Sequence, residues 1–196
     1  MIVINGPSAS GKSSIQKKIQ ENFDEPYLAL GIDSLFDNPL PDYYGLKGVH
    51  PKGSFAEKDI RYIEVEKIDG QNSIKLYIGP IGRKVISGMH YSIAAYAKQG
   101  NNVVVDYISY EKDWPRELEK ALSGVQVYYI GIKYPLEIIE ARESKRATSP
   151  VGHARSHFTS VHEGFKYDLI IDDHELSAEK ISLLIKEIVV KREKRI

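Results

Sequence analysis

The sequence predicts an α/β chain: a doubly wound, five-stranded parallel sheet with helices on both faces and one small β-hairpin insertion. Three observations carry that expectation. Short apolar runs, mostly β-branched, alternate with segments whose apolar residues recur every three or four positions. The first run, residues 1–4, leads directly into Gly6-Pro7-Ser8-Ala9-Ser10-Gly11-Lys12-Ser13, which fits the pattern G-x-x-x-x-G-K-[ST]. A single segment, residues 61–78, instead alternates polar and apolar residues around Asp69-Gly70.

The strands are expected at residues 1–4, 27–30 (ending at Gly31), 103–105, 125–132 and 169–171. Such continuous apolar runs suit strands buried on both faces of a parallel sheet. Between them, Ile15, Ile19 and Phe23 line one face of a helix that starts near Gly11. Residues 80–99 place Val85, Met89, Ile93 and Tyr96 on another helix. Residues 114–122 group Leu118, Ala121 and Leu122. A helix opens after Pro135, which suits a first turn. The last helix takes Ser177 as N-cap and buries Ile181, Leu184, Ile185 and Ile188.

Bulk properties exclude several classes. A chain of 196 residues reads as one domain, 1–196, and 42% apolar residues suffice for a core. The 27 basic and 27 acidic side chains give no general attraction to nucleic acid or membrane. The absence of cysteine excludes disulfides and thiolate chemistry. No apolar stretch is long enough to span a bilayer and no leader is read, so a cytoplasmic protein is the expectation. The apolar helices are compatible with a homodimer.

The glycine-rich loop has a physical meaning. Gly6 and Gly11 let the backbone of Gly6, Pro7, Ser8, Ala9, Ser10 and Gly11 curl so that successive N–H groups face phosphate oxygens. Lys12 would reach the β/γ-phosphates, and the Ser13 hydroxyl would join the shell of a Mg²⁺. The positive end of the following helix faces the same anion. The loop therefore predicts binding of a nucleoside triphosphate together with Mg²⁺.

Phosphoryl transfer to an alcohol also needs a base near the attacking oxygen and cations around the transferred group. Asp33, just past the second strand, lies where the carboxyl ends of strands face the ligand crevice. It reads as a base, a metal ligand, or the N-cap of a helix beginning at Ser34. Asp37 is a weaker candidate of the same kind. Asp106 ends the third strand and reads as the carboxylate beside the Mg²⁺ or as a turn cap. Arg142 and Arg146, four apart, read as one helix face that opens a lid at residues 145–156, or as a solvated face paired with Glu140 and Glu143. The histidines show no metal-ligand spacing; each reads as a surface or hydrogen-bonding residue.

At this point the chain resembles the chloramphenicol phosphotransferase family. The resemblance rests on residues 4–13, 25–35, 78–80, 103–106, 141–146 (Ala-Arg-Glu-Ser-Lys-Arg) and 161–168 (Val-His-Glu-Gly-Phe-Lys-Tyr-Asp). It implies a P-loop kinase-type fold and ATP-dependent phosphorylation of a hydroxyl on a small molecule, with antibiotic resistance as one such activity. It implies Asp33 as general base, and Lys12, Arg142 and Arg146 around the γ-phosphoryl group. Residues 36–60, Ser149 and Tyr107 depart from the family pattern, so the acceptor is open. A nucleoside or nucleotide kinase, or an NTP-binding regulatory module without an acceptor, are the other readings. The hairpin sits where such kinases carry acceptor-binding insertions, and reads equally as a structural flap.

Overall fold

The computed structural model describes residues 1–37, 39, 40, 59–146 and 151–193. Tyr43 and Tyr44, Ser149 and most of the segment expected to choose the acceptor lie outside the described residues. In chain order come β1 (Ile2–Asn5), α1 (Lys12–Asn22), β2 (Tyr27–Gly31), a π-helical turn (Asp33–Asp37), β3 (Arg61–Ile68), β4 (Gln71–Ile78), α2 (Pro80–Lys98), β5 (Asn102–Tyr107), α3 (Trp114–Ala121), β6 (Tyr128–Ile132), α4 (Leu136–Glu143), α5 (His153–His157), β7 (Leu169–Ile171) and α6 (Ala178–Glu193).

Five strands form one sheet in the order β2-β5-β1-β6-β7, with every pairing parallel. The pleat sends alternate residues of β1 to opposite faces. Ile2 and Ile4 pack with Ile15, Ile19, Ile181 and Ile185 from α1 and α6. Val3 turns the other way and packs with Ile86, Ile93 and Leu118 from α2 and α3. Each such fully buried aliphatic side chain contributes about 1.5–3 kcal/mol. The doubly wound expectation is therefore met, and it brings β1, β5 and β2 side by side with their carboxyl ends at one edge.

β3 and β4 form a separate antiparallel pair joined by Asp69 and Gly70, both at positive φ. Tyr62 and Tyr77, directly opposite, stack with ring centroids 4.9 Å apart.

Several boundaries differ from the sequence expectation. β6 starts at Tyr128 rather than 125, because it pairs with β1, whose first strand residue, Ile2, stands opposite Tyr128. Tyr96 is 46% exposed, because the buried stripe of α2 runs through Ile86, Met89, His90, Ile93 and Ala94. Apolar periodicity leaves histidine out of the core, yet His90 is fully buried. Its Nε2 shares a 2.7 Å hydrogen bond with the Tyr107 hydroxyl, and its Nδ1 lies 3.5 Å from Glu117. Leu184 is 38% exposed and Val189 is buried in its stead, giving the four-residue spacing Ile181, Ile185, Val189. Ser177 does cap α6: its hydroxyl accepts the Lys180 N–H at 3.2 Å. Arg142 and Arg146 do not share a helix face, since α4 ends at Glu143. The buried Glu143 carboxylate accepts the N–H groups of Gly152 (2.8 Å) and Ala154 (2.7 Å) and draws the chain into the next helix.

Candidate active site

The glycine-rich loop runs from the end of β1 into α1. Gly11 takes φ +92°, in the left-handed region that a Cβ resists, and Ala9 also has a positive φ of 61°. Lys12, only 5% exposed, donates from Nζ to the Pro7 carbonyl at 2.9 Å and lies 3.6 Å from the Asp106 carboxylate. Burial pushes its pKa below the usual lysine value; Asp106 and Asp33 oppose that shift and Arg146 adds to it. The Ser13 hydroxyl donates to the other Asp106 oxygen at 2.6 Å. Asp106 reaches this position because it stands level with Ile4 on β1 and Gly31 on β2 in the parallel register.

The loop's chemistry suits an anion. A buried ammonium, curled backbone and the start of α1 converge, and the buried Ser10 hydroxyl has no hydrogen-bond partner among the described residues. Ser13 and Asp106 are the pair that would face a Mg²⁺. Among the described residues, no group of three or more histidines, aspartates or glutamates gathers as a ready metal cluster.

Asp33 is exposed and opens the π-helical turn immediately after β2. Its neighbour Ser34 bonds back to the end of β2. The Ser34 hydroxyl accepts the Gly31 N–H and donates to the Gly31 carbonyl, each at 3.0 Å.

The two arginines are placed differently from each other. The Arg142 guanidinium donates to the His174 carbonyl at 2.9 Å and lies 4.9 Å over the Tyr134 ring, beside Gly11. Arg146 follows α4, and its charge acts on Lys12. Glu140 pairs with Arg155 at 2.6 Å rather than with either arginine.

Sequence reasoning undervalued the histidines between α4 and β7. His157 is buried, and its Nε2 accepts the N–H of Ser8 at 3.1 Å. His153 contacts the hairpin through the Ile74 carbonyl (3.3 Å) and bonds the Tyr110 hydroxyl (3.0 Å). His162 shares a 2.7 Å hydrogen bond with the Tyr167 hydroxyl, which accepts from Asn5 at 2.7 Å, at the end of β1. Asp168 completes this segment by accepting the Tyr129 N–H at 2.8 Å. The signal that pointed to His162, Tyr167 and Asp168 was the motif at 161–168, which braces the end of β1 through Asn5; no motif pointed to His153 or His157. Burial holds His153 and His157 below the usual histidine range, and His162 down at about 4.

An open depression of about 1020 Å³, lined by Arg116, Lys120, Gln126 and Arg192 among others, lies beside the start of β6. It is at the opposite end of the sheet from Lys12 and plays no part in this site.

Comparison with known proteins agrees with this geometry. A family model described as "Chloramphenicol phosphotransferase-like protein" matches residues 1–190. A protein of Mycobacterium tuberculosis (strain H37Rv), provisionally named an O-phosphotransferase, is 25% identical over 184 residues, covering 91% of this chain and 79% of its own length. Among solved structures, an unliganded sugar kinase from Janibacter sp. HTCC2649 superposes with a TM-score of 0.61 at 15% identity, covering 94% of this chain and 90% of its own. The tunicamycin resistance protein of Deinococcus radiodurans gives 0.60 at 15% identity, with 96% and 94% covered. Shikimate kinase from Acinetobacter baumannii, in complex with shikimate, gives 0.59 at 10% identity, with 97% and 93% covered. These structures share the fold. No helix among the described residues is long and apolar enough to cross a membrane.

Proposed function

Because this chain belongs to the chloramphenicol phosphotransferase-like family, we propose that it transfers the γ-phosphoryl group of ATP to a hydroxyl of a small molecule. The observation that carries the reading is the grouping of Lys12, Ser13 and Asp106 under the glycine-rich loop, with Asp33 at the adjacent strand end. The backbone of residues 6–13 holds the phosphates, and the Lys12 ammonium offsets charge on the transferred group. Arg146 adds positive charge from the lid side, and Arg142 lies beside Gly11 at the loop's outer flank. A Mg²⁺ held by Ser13 and Asp106 would supply further charge neutralisation between the phosphates.

Asp33 orients the acceptor hydroxyl and takes its proton as the oxygen attacks phosphorus; the electron pair of the broken bond leaves with the ADP oxygen. The acceptor enters from the side of Asp33 and the hairpin. A cytoplasmic location and a small-molecule partner follow from this reading.

The test uses γ-labelled ATP with a panel of hydroxylated antibiotics and metabolites. A labelled product is expected with at least one. With that acceptor, Asp33→Asn should lower kcat by about 10²–10⁴-fold while leaving ATP affinity unchanged. Full turnover by Asp33→Asn, or ATP that binds nowhere near Lys12, would sink the proposal.

A further inference from the structure

We infer that His157 is a positioning residue that sets the Pro7–Ser8 peptide and, through it, the Lys12 ammonium. This rests on the reading above, in which Lys12 meets ATP. A peptide unit is planar, with its N–H and C=O on opposite sides, so holding one end aims the other. The carbonyl of this unit, on Pro7, accepts from Lys12 Nζ at 2.9 Å. Its N–H, on Ser8, donates to His157 Nε2 at 3.1 Å. Lys12 and His157 therefore grip one rigid plate from its two edges.

The hydrogen-bond ledger fixes the tautomer. The Ser156 hydroxyl spends its hydrogen on the His153 carbonyl at 2.7 Å. Its 3.3 Å contact with His157 Nδ1 then requires the ring proton on Nδ1. Nε2 is left with the lone pair that Ser8 needs. Around the ring stand Lys12 from the glycine-rich loop, His153 on the same helix, His162 from the following turn, and Tyr110, edge-on at 5.0 Å, after β5. Burial first, and then the positive charge of Lys12 and the neighbouring imidazoles, favour the neutral ring. A protonated Nε2 would point a hydrogen at the Ser8 N–H, donor against donor, and the plate would turn its carbonyl away from Lys12.

The helix that carries His157 is itself seated on the hairpin. Ile74 donates its N–H to the Gly152 carbonyl at 2.9 Å, and His153 donates to the Ile74 carbonyl. Placement of the hairpin, on the acceptor side, thus reaches the lysine on the donor side through His157.

The experiment begins with ¹⁵N NMR of the nucleotide-free wild type. Near neutral pH, His157 should carry its proton on Nδ1 only, and the Ser8 amide should exchange slowly; acid should abolish both features together. A protonated Nε2 near neutral pH, or a Ser8 amide that exchanges freely there, overturns the inference without any variant. The second arm measures ATP binding by calorimetry and turnover with the labelled-product assay. His157→Leu should weaken ATP binding and lower kcat by about tenfold or more, whereas His157→Gln, which keeps an acceptor oxygen, should recover most of the loss and flatten the acid limb of the pH profile. Equal ATP affinity and turnover in the leucine and glutamine variants overturns the positioning role. Failure of the wild type to bind ATP would overturn the phosphotransferase reading, while the NMR arm still judges the link between His157 and Ser8.

Discussion

Replacing Glu143 by alanine should be among the most damaging single changes in the chain. The carboxylate is fully buried and takes the N–H groups of Gly152 and Ala154 at 2.8 and 2.7 Å. Alanine leaves both donors buried without acceptors, each at a cost of about 1–3 kcal/mol. Part of this loss is offset, because burial already penalises the ionised carboxyl and lifts its pKa despite the two donors. The net expectation is a loss of about 3 kcal/mol, or about 6–12 °C in Tm for a domain of this size. Urea unfolding measures the total, and hydrogen exchange at Gly152 and Ala154 shows whether the damage is where it is expected. A variant within about 1 kcal/mol of wild type, with both amides still protected, would refute the reasoning.

Other perturbations follow from the same geometry. His90 and His162 titrate at about 4 in the folded chain, below the ordinary histidine value of 6.5. The unfolded chain therefore binds more protons across that interval, and stability should fall as the pH drops from 6.5 towards 4. Guanidinium midpoints measured across the interval test this, and a midpoint that rises on acidification contradicts it. Gly131→Ala places a Cβ 2.8 Å from the Tyr167 ring, which Asn5 and His162 hold by its hydroxyl. It should cost about 1–3 kcal/mol, and Tyr167→Leu in the same chain should return part of that loss on thermal unfolding. Gly152→Ala meets both a φ of +95° and the Asn72 carbonyl 2.4 Å away. It should cost about 2 kcal/mol or more and speed amide exchange at Ile74; unchanged exchange there would argue against the seating of residues 152–157 on the hairpin.

The sheet was legible because each strand is a short, nearly continuous apolar run and the glycine-rich loop anchors the first of them. Asp106 was legible for the same reason, since a carboxylate at the end of such a run has one edge of the sheet to occupy. The failures share a cause. His90, His157 and Glu143 are polar residues whose burial depends on partners distant in sequence: Tyr107, Ser8, and the pair Gly152 and Ala154. Hydrophobic periodicity cannot register a buried polar group, because it scores the residue and not its hydrogen-bond partner. The ends of α4 and β6 were misread for a related reason: one is set by a carboxylate folding back on the chain, the other by where β1 begins.

The contacts of Ile74 bear on solubility. Ile74 lies on the outer edge of a two-stranded ribbon, and strand edges invite pairing with other chains. Its N–H and carbonyl are both occupied, by Gly152 and His153. The segment that covers the glycine-rich loop therefore also seals a strand edge. Residues 152–157 thus join one contact on the glycine-rich loop, His157 to Ser8, to the covering of that strand edge.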